Sequence, residues 1–396
     1  MFTDLSLDSS LVLAIIASPM FKYRLFAPGP TPVSEAASLA MAQPIIHHRT
    51  AEFEKVLEGV RADLKWLYQT KNEVILLASS GTGGMEGAIV NTLSPGDKVI
   101  VVDGGKFGER WWKICKAYGV EAEIIKVTWG EAVDPKEIET RLNKSGYRAV
   151  LVQASESSTG VYHPIQEIAA LTRKHEDCLC IVDAISALGA MNLPMDAWGI
   201  DVLITGSQKA LALPPGLAMV GLSDKAWKMA ETSKLPKFYF DFKREKKNLE
   251  TNQTAFTPAI SLVLGLADVL RKLKAEGLEN MFARHARMAH AVREGMKGLG
   301  LKLYAKSPVN SLTAVCVPEG VDGSKVTKIL QKKYNMTIAG GQDAAKGKIF
   351  RLAHLGYFDD LDMVTVVAAV EWTLAELGYK FEMGQGVAAV MKTLRS

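Results

Sequence analysis

Between residues 73 and 222 the chain alternates short, nearly all-apolar runs with stretches in which apolar residues recur every three to four positions. Glu73–Ala78, Lys98–Asp103, Ala122–Val127, Arg148–Gln153, Leu179–Asp183, Val202–Thr205 and Leu217–Leu222 have the composition of strands. Several are apolar throughout, as expected of strands buried on both faces of a mostly parallel sheet. Gly84–Leu93, Gly108–Tyr118, Pro135–Asn143 and Pro164–His175 lie between them with helical spacing, several opened by Pro or Gly. Strand alternating with helix over about 150 residues predicts a layered α/β domain, here a mostly parallel seven-stranded sheet flanked by helices. Upstream, Phe53, Val56, Leu57, Val60, Leu64 and Leu67 put one apolar stripe on a helix over Glu52–Gln69.

Past the sheet region the pattern changes. Lys237 to Glu250 is rich in lysine and reads as an exposed loop. Two long helical stretches follow, Pro258–Glu276 and Met281–Gly298. After Gly300 the alternation restarts on a smaller scale, with strand Ser311–Val317, helix Ser324–Tyr334, strand Lys348–Ala353 and helix Leu361–Leu377. This predicts a large domain over residues 20–300 and a smaller C-terminal α+β domain over 301–396. The N-terminal stretch stands apart. Its apolar run, Leu11 to Ser18, falls well short of the roughly 18 to 20 residues that cross a bilayer. Its leader carries Asp4 and Asp8 with no Lys or Arg, opposite to a secretory signal. Met20 opens a new pattern, so residues 1–19 are expected to be an extension, with a buried strand or helix as the alternative.

Composition narrows the class. A chain of 396 residues with 48% apolar and 23% charged residues excludes a disordered, collagen-like or small disulfide-stapled protein. The net charge of +4, from 47 Lys+Arg against 43 Asp+Glu, is too thin for a nucleic-acid footprint and fits small anionic ligands. The four cysteines, 115, 178, 180 and 316, match no metal or disulfide spacing. No metal site, no membrane span and a reducing cytoplasm are therefore expected.

Ser79-Ser80-Gly81-Thr82-Gly83-Gly84-Met85-Glu86 directly follows a strand and opens a helix. Small residues there free backbone N–H groups at a helix N-terminus, which suits an anion. Two other readings stay open: a plain strand-to-helix turn, or a dinucleotide site of an NAD(P)-binding oxidoreductase. Gly81-x-Gly83 followed by Asp103 about 20 residues on supports the latter. Glu86 counts against it, because the third glycine of that fingerprint should stand there, close to a pyrophosphate.

Asp183 ends a strand at the edge where α/β sheets place ligands, though a helix cap would use the same residue. Lys209, in Gly206-Ser207-Gln208-Lys209-Ala210, has small or apolar flanks that predict partial burial. Burial lowers a lysine's pKa and makes it a nucleophile for carbonyls. A phosphate cup, an acid for a ring nitrogen and a carbonyl-binding lysine together point to pyridoxal 5′-phosphate, whose protonated ring stabilises a substrate carbanion.

From Leu25 to about Leu377 the chain resembles the class V, fold-type-I aminotransferases, in particular the alanine–glyoxylate and serine–glyoxylate group. Nine stretches in the family's order carry the resemblance: 27–32, 47–49, 79–86, 105–110, 155–160, 182–186, 206–210, 254–258 and 350–354. It implies that Lys209 binds the cofactor covalently and then moves a proton between substrate and cofactor, while Asp183 pairs with the ring nitrogen. It implies that Gly81, Thr82 and Gly83 hold the phosphate, with Ser207 and Gln208 close by. Phe107 would stack on the ring and Ser158 would reach its hydroxyl region; a core aromatic and a turn serine are the alternatives. Arg351 would clamp the substrate carboxylate as a bidentate fork, and Gly29 would line the substrate pocket. Thr257, with Thr254 as the alternative, would reach the phosphate of the other subunit in a homodimer with shared active sites.

Related lyases and cysteine desulfurases of this class tend to place a His where this chain has Phe107. Desulfurases also use a mobile Cys, whereas Cys316 sits in an apolar strand. The resemblance therefore implies transamination of alanine or serine with glyoxylate or pyruvate, a lyase or desulfurase being the alternative. The segments 27–32 and 155–160 contain no Arg or Lys, and Glu156 is expected to repel a distal carboxylate.

Overall fold

The structure, a computed structural model, describes residues 22–144 and 146–396, so the expectation for residues 1–19 lies outside the described residues. Helix α1 (Ala51–Tyr68) starts where Thr50 accepts the Phe53 N–H, and ends at Gln69, which takes a left-handed φ of 52°. Its stripe of Phe53, Leu57, Val60, Leu64 and Leu67 is buried, at about 1.5–3 kcal/mol for each fully covered side chain.

All seven expected strands form, as β1 (Val74–Leu77), β2 (Lys98–Asp103), β3 (Glu121–Lys126), β4 (Tyr147–Gln153), β5 (Leu179–Asp183), β6 (Val202–Gly206) and β7 (Ala218–Leu222). They make one sheet in the order β1-β7-β6-β5-β4-β2-β3. Only β7 runs against its neighbours, β1 and β6; the other pairings are parallel. Central strands such as β5 and β6 are buried at every position, while β3, at the edge, exposes Glu121, Glu123 and Lys126.

Helices α2 (Gly81–Thr92) and α3 (Lys106–Ala117) begin at Gly81 and Lys106, ahead of the predicted Gly84 and Gly108. Their first turns hold few apolar residues, so hydrophobic spacing is silent there. The expected loop at Lys237–Glu250 is instead mostly a helix, Phe242–Leu249. Asp241 caps it by accepting the Lys243 and Arg244 N–H groups, and only Phe242, Glu245 and Leu249 are buried. A single narrow seam hidden among lysines gives a weak amphipathic signal.

The C-terminal part carries an antiparallel sheet of β8 (Leu312–Cys316), β9 (Ala339–Gly340) and β10 (Ile349–Ala353), with β10 in the middle. A second core of Val315, Phe350, Leu352 and Val370 draws in Phe26 from the N-terminal segment and Met288 from the helix Leu278–Gly298. One helix here, Gln385–Arg395, is absent from the sequence reading. Its start is capped from a distance: buried Glu371 accepts the Gly384 and Val387 N–H groups at 2.8 and 2.9 Å. No helix among the described residues is long and apolar enough to cross a membrane.

Candidate active site

The carboxyl ends of β1, β2, β4, β5 and β6 open onto one cavity. Its wall is built from the loops after them: Ser80, Gly81 and Thr82; Phe107 and Arg110; Ser155 and Ser157; Asp183, Ile185 and Ser186; Gln208 and Lys209. Open α/β sheets bind ligands at that edge.

Lys209 leaves β6 partly buried, and its Nζ donates to the Pro28 carbonyl. Burial is the largest influence on the ammonium and pulls its pKa down to about 8, with Arg351 and Arg110 acting in the same direction and Asp183 opposing them. At pH 7 roughly a tenth of such a lysine is neutral, against less than about 0.1% for an ordinary one. An aldehyde trapped with borohydride should therefore modify Lys209 first, at a rate that rises as pH passes through about 8. Labelling that favours surface lysines, or that rises only near pH ~10 as for an ordinary lysine, would contradict this. Gly29 supports the same group. Its φ is +142°, and a Cβ there would lie 2.1 Å from the Lys209 Nζ, so glycine alone lets the segment 27–32 close over the lysine. Thr31 ties that segment down by donating from Oγ1 to the Lys209 carbonyl at 2.8 Å.

Asp183 is buried, with Oδ1 accepting the Ile185 N–H at 2.8 Å. Burial pushes its carboxyl up to about 6, partly offset by that N–H and by Arg110 and Lys209. An acid held in this way favours a cationic partner. At the start of α2, Gly81 and Thr82 face the cavity, whereas Gly83 packs under Ser79 and Phe240, where a Cβ would meet both. Gln208 Oε1 is buried without a partner, and a Cβ on Gly206 would meet both this atom (2.9 Å) and the Gly81 N (3.6 Å). Oε1 is an acceptor and cannot pair with the oxygens of an anion, so the donors this corner offers an anion are the backbone N–H groups of the helix start and the Thr82 hydroxyl.

Arg351 projects from β10 and is buried, at 7% exposure. Its Nε and Nη2 donate to the Gly340 carbonyl at 3.1 and 2.8 Å, and Nη1 donates to the Ser157 carbonyl at 2.6 Å. Guanidinium carries five N–H groups, so one remains on each terminal nitrogen, the pair that a carboxylate fork takes. Burial lowers its pKa to about 10, and Glu156 is the anion that favours the charged form.

Several expected residues stand elsewhere. Ser158 is turned from the cavity, because its Oγ donates to Glu156 Oε1 and accepts the Lys106 N–H at 3.0 Å; Ser155 and Ser157 line the wall instead. Ser207 is held in its own loop, donating to the Pro214 carbonyl at 2.7 Å and accepting the Leu217 N–H. Thr254 is buried and donates to the Phe256 carbonyl, which leaves exposed Thr257 as the free hydroxyl of that segment. Glu156 does not face a substrate: it is fully buried and engaged with backbone N–H groups, so its expected repulsion of a distal carboxylate falls away. Asp103, the acid a dinucleotide site would use, accepts from Trp112 Nε1 at 2.9 Å and pairs with Lys126.

Ser80, Arg110, Ser155, Ser157, Ile185 and Ser186 line the cavity although the sequence reading assigned none of them a role, and Arg110 is the charged one. Arg110, on α3, lies 4.8 Å over the Phe107 ring and donates to Thr82 Oγ1 at 3.1 Å. A charge on an amphipathic helix reads as solvated surface, and only its place within residues 105–110 could have flagged it.

Residues 35–356 match the family model for class-V aminotransferases. Over 379 residues the chain is 44% identical to a protein of Synechococcus sp. (strain PCC 6716) named soluble hydrogenase, small subunit, covering 94% of this chain and 98% of that one. It is 39% identical over 382 residues to L-aspartate–glyoxylate aminotransferase of Paracoccus denitrificans (strain Pd 1222), covering 94% and 96%. Among solved structures, ureidoglycine–glyoxylate aminotransferase from Bacillus subtilis matches with a TM-score of 0.91 at 27% identity, over 96% of this chain and 100% of that one.

Proposed function

The chain belongs to the class-V aminotransferase family, and from that premise we propose that it uses pyridoxal 5′-phosphate to move an amino group from alanine or serine to glyoxylate or pyruvate. One observation carries the reading: a buried acid and a lysine of lowered pKa share a cavity with a glycine-rich helix start. The residues fit the cofactor. Lys209 would bind its carbonyl carbon, Asp183 its ring nitrogen, and the N–H groups and hydroxyl of Gly81 and Thr82 its phosphate, with Gln208 close by. When bound, the cofactor supplies an electron-withdrawing ring that stabilises the electron pair left at the substrate Cα. The protein's own part is positional and protonic. Arg351 orients the substrate carboxylate, Asp183 keeps a proton on the ring nitrogen, and the Lys209 amine takes and returns the Cα proton.

Two observations bear on the rival readings. Cys316 ends strand β8 and its thiol is pushed up by burial, which suits packing rather than a mobile desulfurase nucleophile. Arg110 favours a second reading, with aspartate as donor, since it adds a cation to the cavity wall and a relative is named for aspartate. Its hydrogen bond to Thr82, on the helix start we assign to the phosphate, supports the smaller donors. We also take the active species to be a homodimer, with Thr257 reaching the partner's phosphate, in a reducing cytoplasm that suits four unpaired thiols.

A steady-state panel of alanine, serine and aspartate against glyoxylate tests the donor. Alanine or serine should exceed aspartate by roughly 10- to 100-fold in kcat/KM, the cost of an unpaired distal charge. Aspartate in front would overturn the small-donor reading, and an active monomer by light scattering would remove the shared site.

A further inference from the structure

Helix α3 carries Phe107 and Arg110 into the cavity, yet its N-cap, Gly105, offers no side chain to its first N–H groups. The turn after β4 supplies the cap. Glu156 Oε2 accepts the Phe107 and Gly108 N–H groups at 3.0 and 2.9 Å, and Gln153 Nε2 at 3.2 Å. Its Oε1 accepts the Ser158 N–H at 3.1 Å and the Ser158 hydroxyl, and that hydroxyl accepts the Lys106 N–H. Three consecutive N–H groups of the helix start are thus met by one buried turn. Gly105 makes this approach possible, since a Cβ there would lie 2.4 Å from Ser158 Oγ and 2.5 Å from the Glu156 carboxyl carbon.

The same turn holds the other half of the site. Between Glu156 and Ser158 stands Ser157, which lines the cavity and whose carbonyl accepts Arg351 Nη1. Resting this step on the transaminase reading above, we propose that Glu156 is a positioning residue that fixes Phe107 against the cofactor ring and Arg351 against the substrate carboxylate through one turn. A carboxylate is needed because both oxygens must accept. Glutamine has one accepting oxygen, and its NH₂ would face either the α3 donors or the Ser158 donors.

The test is Glu156→Gln in the cofactor-loaded protein, kept well below its unfolding temperature. The visible circular dichroism of the bound cofactor reports the asymmetry of the ring's surroundings, and KM reports the clamp. The expected result is an altered visible signal together with KM values for donor and acceptor raised roughly tenfold, as a stranded buried donor shifts its neighbours. A purely structural cap predicts a lower melting temperature with wild-type dichroism and KM, and that outcome overturns the inference. Should Glu156→Gln not fold, Gly105→Ala decides instead: its extended φ of 169° admits alanine, and the methyl displaces the carboxylate without changing its charge. The same altered signal is expected there, and an unaltered one overturns the inference. A wild-type protein that takes up no cofactor overturns the transaminase reading and this inference with it. A loaded wild type beside an unshifted variant overturns this inference alone.

Discussion

Lys209→Ala is expected to abolish the visible band of the lysine-bound cofactor and to slow transamination by about four orders of magnitude or more. The size of the effect follows from two losses at one atom. In the proposed reading Nζ would be both the nucleophile that holds the cofactor carbonyl carbon and the base that takes the Cα proton. General acid–base catalysis alone contributes about 10²- to 10⁴-fold, and the covalent contribution is lost with it. Binding of the cofactor should survive, because the helix start at Gly81, the Gln208 amide and Asp183 remain in the cavity wall. A small primary amine in the buffer should restore part of the rate, since it returns the base without the tether. The variant also opens the space above Gly29, which in the wild type admits the lysine only because it lacks a Cβ. Near-normal turnover in Lys209→Ala would show that the chemistry runs through another residue.

The parts of this site that were legible in the sequence are those whose signal is local. Most of the seven strands announce themselves as short apolar runs, the edge strand β3 least, and Asp183 and Lys209 stand out as charges set among small or apolar residues at or just past such a run. What escaped depends on partners far along the chain. The starts of α3 and of Gln385–Arg395 are capped by Glu156 and Glu371, from other elements, so neither helix carries its own cap. Ser157 and Ser158 are neighbours of one residue type, and only the fold decides that the first lines the cavity while the second turns to Glu156. Glu156 itself shows the limit of charge arguments made without burial. A carboxylate in a candidate pocket reads as repulsive to anions until its oxygens prove to be committed to backbone N–H groups. Arg110 escaped for the opposite reason, because charged residues on helices are so commonly solvated.

Asp183→Asn is the second large effect, and its sign can be worked out from the group's surroundings. Burial raises the carboxyl to about 6, so in the cofactor-free protein the charged form prevails above that pH and fades below it. A protonated ring nitrogen placed against it favours the carboxylate, so the two groups stabilise each other's charges. Asparagine keeps the shape and can still accept the Ile185 N–H, but it is neutral and cannot hold the ring proton. Without that proton the ring withdraws electrons poorly, and the loss falls on the step that forms charge at Cα. A preorganised group of this kind is worth about 10²- to 10³-fold in kcat, while KM, which the proposed reading gives to Arg351, should change little. The pH dependence should change in a way that a mere structural defect would not reproduce. In the wild type, cofactor affinity measured by absorbance titration should fall as pH drops through about 6, because protonating Asp183 removes the anion that the ring cation pairs with. In Asp183→Asn that limb should disappear, leaving a weaker affinity that is flat across the same range. An asparagine variant with wild-type kcat, or one that retains the acid limb, would assign Asp183 to capping the turn at Ile185 and leave the ring nitrogen to another group.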